Sequence, residues 1–323
     1  MPPVVGRLRA MVTTVVLLAG CRHLRPTVAR AAESLPDAVA ARFLPPAPAL
    51  RVELTTLERT PTYDVQSGAL VLADGGRARF EYYGPIDGPP RPLVLVLPIL
   101  GGDGTITRLV ARACAERGMA ALHAERPCEI LTADQDGRMI EELFRRSVAH
   151  ARLLLDWAIA SGGADPDRIG LVGISLGGIL GTAVLAAEPR VRRAVIALAG
   201  ADVSDLVRRS AEEQVRRYLA GRREAGFDEE AVAADLAREF VSDPVHLARY
   251  VDPRGVLFIR AAFDRVVPRT NAERLWQLLG RPERIDVPTG HYSAALLLPY
   301  LRGRILDHFA RWEERPTALA RRP

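Results

Sequence analysis

Hydrophobic and polar positions along the 323 residues change rhythm several times. Up to about residue 50 no period is sustained. An apolar run from Ala10 to Gly20 gives way to Ala, Arg and the prolines Pro26, Pro36, Pro45, Pro46 and Pro48, a composition that favours an extended spacer with at most a short helix between Val28 and Phe43. From 51 to 84 the pattern alternates: Arg51 to Leu57 reads as a strand, Asp74-Gly75-Gly76 as a turn and Ala78 to Tyr83 as a second extended stretch. Leu93-Val94-Leu95-Val96-Leu97 is uninterruptedly apolar, as a strand buried on both faces must be.

From there the two periods take turns. The spacing predicts helix over 105–117, strand over 119–123, helix over 138–160, strand over 169–173, helix over 177–188 and strand over 192–199. Strands alternating with helices imply an α/β fold, a mostly parallel central sheet with helices on both faces and right-handed crossovers. Between 201 and 252 the texture changes: 20 of these 52 residues are charged, against 26% overall, and Leu206, Tyr218, Val232, Leu236 and Phe240 recur at helical spacing. This reads as a polar helical cap inserted into the series. The core resumes with strand 255–260, helix 269–279, strand 283–287 and a helix from Ser293 to Trp312. In domain terms, a core over 51–200 and 253–314 is interrupted by the cap over 201–252 and followed by a tail over 315–323.

A hydrophobic fraction of 48% is that of an ordinary globular protein. The net charge of +5 is an N-terminal matter: the first 32 residues hold five Arg and no acid, which leaves 39 basic against 39 acidic residues in the rest. No basic stripe follows, so no nucleic-acid partner is expected. All 44 basic residues are Arg, in keeping with the Ala, Arg, Gly and Pro richness of a GC-rich coding bias. Without a lysine there is no Schiff base to pyridoxal phosphate, no Walker loop, no protein-kinase strand lysine and no SxxK acylase.

Arg7 and Arg9 precede the apolar run, which is too short to span a bilayer and ends in Leu18-Ala19-Gly20-Cys21. That tetrapeptide resembles the lipobox of bacterial lipoproteins. The resemblance implies a signal peptide over 1–20, lipidation of Cys21, a tether over 21–50 and a membrane partner through the anchor. Arg22, where some bacteria use Asp for inner-membrane retention, favours the periplasmic face of the outer membrane. A non-lipidated signal peptide and an unprocessed amphipathic start are the alternatives. Cys114 and Cys128 are the two remaining cysteines, and their spacing leaves a disulfide open.

The strongest chemical signal is Gly173-Ile174-Ser175-Leu176-Gly177, between a predicted strand and a predicted helix. A GxSxG in that context is a nucleophile elbow: the turn is so tight that its neighbours must be small, and Ser175 stands at the carboxyl edge of the sheet with the Leu176 N–H ready for an oxyanion. Here the chain resembles the α/β-hydrolase family over roughly residues 90 to 312, and Asp165-Pro166-Asp167-Arg168-Ile169-Gly170 looks like its dienelactone hydrolase and prolyl oligopeptidase branches. The resemblance implies an α/β-hydrolase fold and the chain order Ser, acid, His. Asp264, in Asp264-Arg265-Val266-Val267-Pro268, matches the DxxVP pattern, with Ala261 where relatives often have Gly, and Thr289-Gly290-His291 supplies the histidine.

Physical requirements point the same way. A serine hydroxyl needs a base titrating near neutrality, and that imidazole needs an acid on its far nitrogen. His23 falls in the spacer, His150 and His308 in helices, His246 in the cap, and His123 ends a strand as a core or rim residue. Asp202 and Asp205 are rivals to Asp264, while Asp165 and Asp167 read as turn residues. The second oxyanion donor is expected from the loop after 93–97, Leu100 first and Ile99 second, although Pro98-Ile99 stands where many relatives have His-Gly. The expected function is a serine hydrolase acting on a small-molecule acyl substrate, an ester before a peptide, thioester or lactone, with no metal and no cofactor. Two other classes compete. Leu100-Gly101-Gly102-Asp103-Gly104-Thr105 resembles the GGDGT loop of NAD and diacylglycerol kinases, and a non-catalytic binding lipoprotein would keep the fold with a broken triad.

Overall fold

The computed structural model describes residues 20–26, 31–45, 47–86, 88–101 and 104–312. Apart from Gly20, the leader expected over 1–20 lies outside them, as do Gly102, Asp103 and the tail. Ten strands are described: β1 (Arg22–Leu24), β2 (Ala49–Arg59), β3 (Tyr63–Leu72), β4 (Arg77–Pro85), β5 (Arg91–Val96), β6 (Ala120–Ala124), β7 (Ala164–Ile174), β8 (Val191–Ala197), β9 (Val256–Ala261) and β10 (Glu283–Val287). The α-helices are α1 (Asp37–Ala40), α2 (Thr105–Glu116), α3 (Gly137–Ala160), α4 (Leu176–Ala187), α5 (Val203–Arg209), α6 (Glu213–Glu224), α7 (Glu229–Glu239), α8 (Pro244–Leu247), α9 (Arg269–Leu278) and α10 (Leu298–Ala310).

All ten strands join one sheet in the order β1-β10-β9-β8-β7-β5-β6-β4-β3-β2. The six from β10 to β6 run parallel, and β4, β3 and β2 extend one side antiparallel. The predicted α/β architecture is therefore present. Period-two alternation divides the core into two layers. Leu93, Leu95 and Leu97 join Phe144 and Leu154 of α3 and Leu180 of α4 on one face, while Val94 and Val96 join Val110 of α2 and Ile305 and Phe309 of α10 on the other. The helix α3 begins where Asp136 accepts a hydrogen bond from the Met139 N–H at 2.8 Å, a side-chain cap on one of the free amides of its first turn.

The N-terminal segment departs from the expected free spacer. Arg22, His23 and Leu24 pair antiparallel with Asp286, Ile285 and Arg284 of β10, and the His23 ring meets Glu283 at 2.7 Å. Further on, α1 runs into a turn of 3₁₀ helix whose Phe43 is 1% exposed. Arg145 and Arg152 of α3 donate to the carbonyls of Arg42 and Phe43 at 2.9 and 3.0 Å. Proline density predicts extension but not detachment: a lone Phe carries no periodic signal, yet it finds the sheet's helical layer. The strand β7 also begins at Ala164 rather than 169, because Ala164 pairs with Arg91 before the register skips to Ile169 against Leu93.

The segment between β8 and β9 is helical, α5 to α8, as its spacing predicts. It is tied down at two places. Ser210 Oγ donates to the Val266 carbonyl at 2.7 Å and the Ala211 N–H to that of Arg265 at 2.8 Å. On the other side Gln214 donates to the Ile130 carbonyl at 2.7 Å, and Asp235 accepts the Gly137 N–H at 2.7 Å. These helices therefore reach from the turn after β9 to the loop after β6. Cys114 is buried and Cys128 exposed, and neither forms a disulfide.

Candidate active site

The turn from β7 into α4 places Ser175 at φ 56° and ψ −122°, a left-handed backbone that a residue other than glycine adopts only under strain. Its neighbours hold it there. The Ser175 N–H donates to the Ala197 carbonyl at 2.8 Å, and the Ser175 carbonyl accepts from the Gly178 N–H at 2.8 Å. The glycines follow from close approach: a Cβ on Gly173 would lie 2.2 Å from the Gly177 carbonyl oxygen, and one on Gly178 would lie 2.6 Å from the Ala199 Cβ. GxSxG is thus the local sequence this crossing tolerates.

Ser175, His291 and Asp264, far apart in the chain, meet at the carboxyl edge of the sheet. His291 Nε2 lies 3.0 Å from Ser175 Oγ, and its Nδ1 lies 2.7 Å from Asp264 Oδ2. A carboxylate only accepts hydrogen bonds, so Nδ1 carries the hydrogen and Nε2 turns its lone pair toward the hydroxyl. The other oxygen of Asp264 accepts the N–H groups of Val266 and Val267, both at 2.9 Å, which orients the carboxylate and gives the DxxVP pattern its physical meaning. The histidine loop is clamped beside it, since the Phe263 N–H donates to the Thr289 carbonyl at 2.9 Å. The side chains of His291 and Asp264 are 9% and 4% exposed, so water is largely excluded from their hydrogen bond.

The rival acids are engaged elsewhere. Asp202 caps α5, accepting from the Asp205 N–H and the Ser204 hydroxyl and pairing with Arg274, while Asp205 pairs with Arg209 and with the amide of Asn271. Asp165 accepts from the Asp167 N–H at 2.9 Å and from Arg168, a local turn arrangement. The other histidines have structural settings. Burial pushes His150 and His308 down to about 4, and His308 donates from Nε2 to the Gly255 carbonyl at 3.1 Å. His123, 4% exposed, bonds through Nε2 to Thr107 Oγ1 at 2.8 Å, and the threonine hydroxyl is given to the Gly104 carbonyl, so His123 Nδ1 is an unshared acceptor.

Leu176 opens α4, so its N–H belongs to the first turn and has no partner within the helix. The loop after β5 abuts that turn: a Cβ on Gly177 would lie 2.9 Å from the Pro98 carbonyl oxygen. Leu100 and Leu176 are both half-buried against the same apolar layer. Of the GGDGT stretch, Gly102 and Asp103 lie outside the described residues, and Gly104 caps α2 at φ 77°.

Two nearby groups have no motif to reveal them. Tyr292 stands edge-on to the His291 ring at 5.4 Å between centroids, its hydroxyl donates to Glu212 at the start of α6, and burial and that carboxylate push it up to about 12. Arg126, two residues beyond β6, has a buried Nη1 with no hydrogen-bond partner.

The prolyl oligopeptidase family profile matches residues 147–287, a span that holds Ser175 and Asp264 but stops short of His291. An uncharacterized protein of Mycobacterium tuberculosis, present in two strains, is 29% identical over 147 residues, 45% of this chain. The chain spans 33% of the length of these curated relatives. Among solved structures, an acetyl xylan esterase from Paenibacillus sp. R4 superposes with a TM-score of 0.64 at 16% identity, covering 88% of this chain and 96% of that one. A cold-adapted esterase from an Arctic intertidal metagenomic library superposes with a TM-score of 0.53 at 20% identity, covering 78% and 99%. The strand order, the strained turn at the centre of the sheet and these superpositions establish that the chain has the α/β-hydrolase fold.

Proposed function

We propose that the chain is a serine hydrolase that cleaves an acyl bond, a carboxylic ester first, through an acyl-enzyme on Ser175. The observation that carries this reading is the unbroken hydrogen-bonded series from Ser175 Oγ through His291 to Asp264. In the first half-reaction Ser175 Oγ bonds to the carbonyl carbon while His291 Nε2 takes its proton, and the N–H groups of Leu176 and Leu100 receive the oxyanion. The carbon–oxygen bond to the leaving alcohol then breaks as the imidazolium returns the proton to it. In the second half-reaction the same imidazole takes a proton from water as the water oxygen bonds to the acyl carbon; the carbon–Oγ bond then breaks as the imidazolium returns the proton to Ser175 Oγ, which releases the acid. Asp264 stays ionised throughout and stabilises the imidazolium. The esterase activity named for the superposed structures supports an ester, and the prolyl oligopeptidase match supports a peptide bond as the second reading. The helices of α5 to α8 act as a cap that shapes the substrate space, with Glu212 held by Tyr292.

A fluorophosphonate probe tests the reading. It is expected to label the wild-type protein at Ser175 and to leave Ser175→Ala unlabelled; equal labelling of that variant would refute it.

The proposal extends to attachment: Cys21 carries lipid and holds the protein to a membrane, with two or three chains where one alone is marginal. Metabolic labelling with palmitate is expected in cells making the wild-type protein and absent for Cys21→Ser. Incorporation that survives the substitution would move the lipid elsewhere.

A further inference from the structure

A cleft of about 450 Å³ opens beside the loop after β5. Ser175 and His291 do not line it; its wall includes Ile99 and Gly101 of that loop, His123 of β6, and the charged side chains of Arg108, Arg126 and Glu129. Of the three arginines on this wall Arg79 is exposed, and the other two differ in kind. Arg108 is held by Glu81, with Nε 2.8 and 3.0 Å from the two carboxylate oxygens. Arg126 makes no hydrogen bond and no ion pair among the described residues, and its Nη1 is buried. Burial pushes its pKa down, against a weaker pull upward from Glu129. A guanidinium stays charged in proteins, so this cation is partly withdrawn from water without a counter-charge in contact among the described residues, an arrangement that costs stability unless a further group completes it. The neighbouring His123 Nδ1 is buried without a hydrogen-bond partner, 3.9 Å from a Glu81 carboxylate oxygen.

The position of Arg126 gives this a functional direction. The same residue bounds a second, small cavity of about 20 Å³ together with Pro98 and Leu176. Leu176 follows Ser175 directly, and Pro98 begins the loop that abuts the first turn of α4. Arg126 therefore stands beside both backbone segments that flank the nucleophile. We infer that Arg126 is a specificity-determining residue, which binds a carboxylate at the far end of the substrate's acyl chain while Ser175 attacks the ester at the near end. The substrate class is the half-ester of a short dicarboxylic acid. A planar guanidinium fork matches a planar carboxylate in two parallel hydrogen bonds. Arg79 and Arg126 stand against Glu125 and Glu129 on the same wall, a near balance that suits a single negative charge better than a phosphate dianion. The inference rests on the serine-hydrolase reading above.

The test compares two p-nitrophenyl esters of similar length, the butyrate and the mono-glutarate, in wild type and in Arg126→Gln. The wild type is expected to favour the glutarate at least tenfold in kcat/KM, and Arg126→Gln is expected to lower that ratio by about tenfold to a hundredfold, the range for a lost charge-assisted hydrogen bond. Equal rates on the two esters in the wild type, or a ratio unmoved by the substitution, would overturn the inference. Free glutarate at matched ionic strength provides a readout without turnover: it is expected to raise the Tm of the wild type and not that of Arg126→Gln. Because Arg126 has no bonded partner among the described residues, Arg126→Gln and Arg126→Met are both expected to melt at or above the wild-type temperature. A shift with glutarate in a protein that the fluorophosphonate leaves unlabelled would sink the hydrolase reading and keep the anion site. Labelling without any glutarate effect would do the reverse.

Discussion

Replacing His291 by alanine is expected to lower kcat on a p-nitrophenyl ester by about 10⁶, the same loss as Ser175→Ala, and the double substitution is expected to cost no more than either alone. On the proposed mechanism the two side chains act as one device. Ser175 Oγ is a weak nucleophile until Nε2, 3.0 Å away, receives its proton, and an imidazole with no hydroxyl beside it has no bond to make. Residual turnover in all three variants would come from substrate binding and the N–H groups near the turn. Steady-state kinetics on the folded variants checks this. Losses that multiply in the double variant would mean that the two residues act independently and that Ser175 is not activated by His291.

The second large effect lies at Asp264. Asp264→Asn is expected to reduce kcat by about 10⁴ with little change in KM or in Tm. The amide oxygen of Asn keeps the N–H bonds from Val266 and Val267, so the turn survives. The NH₂ group then faces His291 Nδ1, which must become the acceptor; the ring hydrogen moves to Nε2, and the lone pair that Ser175 requires is gone. Asp202→Asn is expected to leave kcat near the wild-type value, since its carboxylate is engaged with Ser204 and Arg274. The opposite ranking of the two variants would assign the acid to the strand before the cap.

Much of this was legible in the sequence because the chemistry constrains short, local patterns. Gly173 and Ser175 are dictated by backbone contact within one turn, Gly177 by the close pass of the loop after β5, and Asp264 by the two amides two and three residues on. The buried run at 93–97 and the helical spacing at 138–160 are likewise local. What could not be read depends on partners distant in sequence. Arg22 to Leu24 form a strand only because β10 offers an open edge, and nothing in three residues announces that. Phe43 is one aromatic among Ala, Arg and Pro, and its burial is a property of α3. Arg126 is one arginine among 44; what distinguishes it is a buried Nη1 without a hydrogen-bond partner among the described residues, and a missing bond has no sequence pattern.

The short strand β1 bears on where the substrate comes from. Its register sets Arg22 opposite Asp286, at the carboxyl end of β10, and Val287 leads within four residues to His291. Cys21 therefore sits at the same rim of the sheet as Ser175, four strand spacings away along the order β1-β10-β9-β8-β7, or roughly 20 Å. Under the proposed attachment, an acyl anchor at this cysteine has no slack to take up, because the next residue is already hydrogen-bonded into the sheet. Such an anchor would moor the molecule by its catalytic rim, with the mouth of the site at the lipid headgroups, so that esters already dissolved in that surface arrive by lateral diffusion in two dimensions.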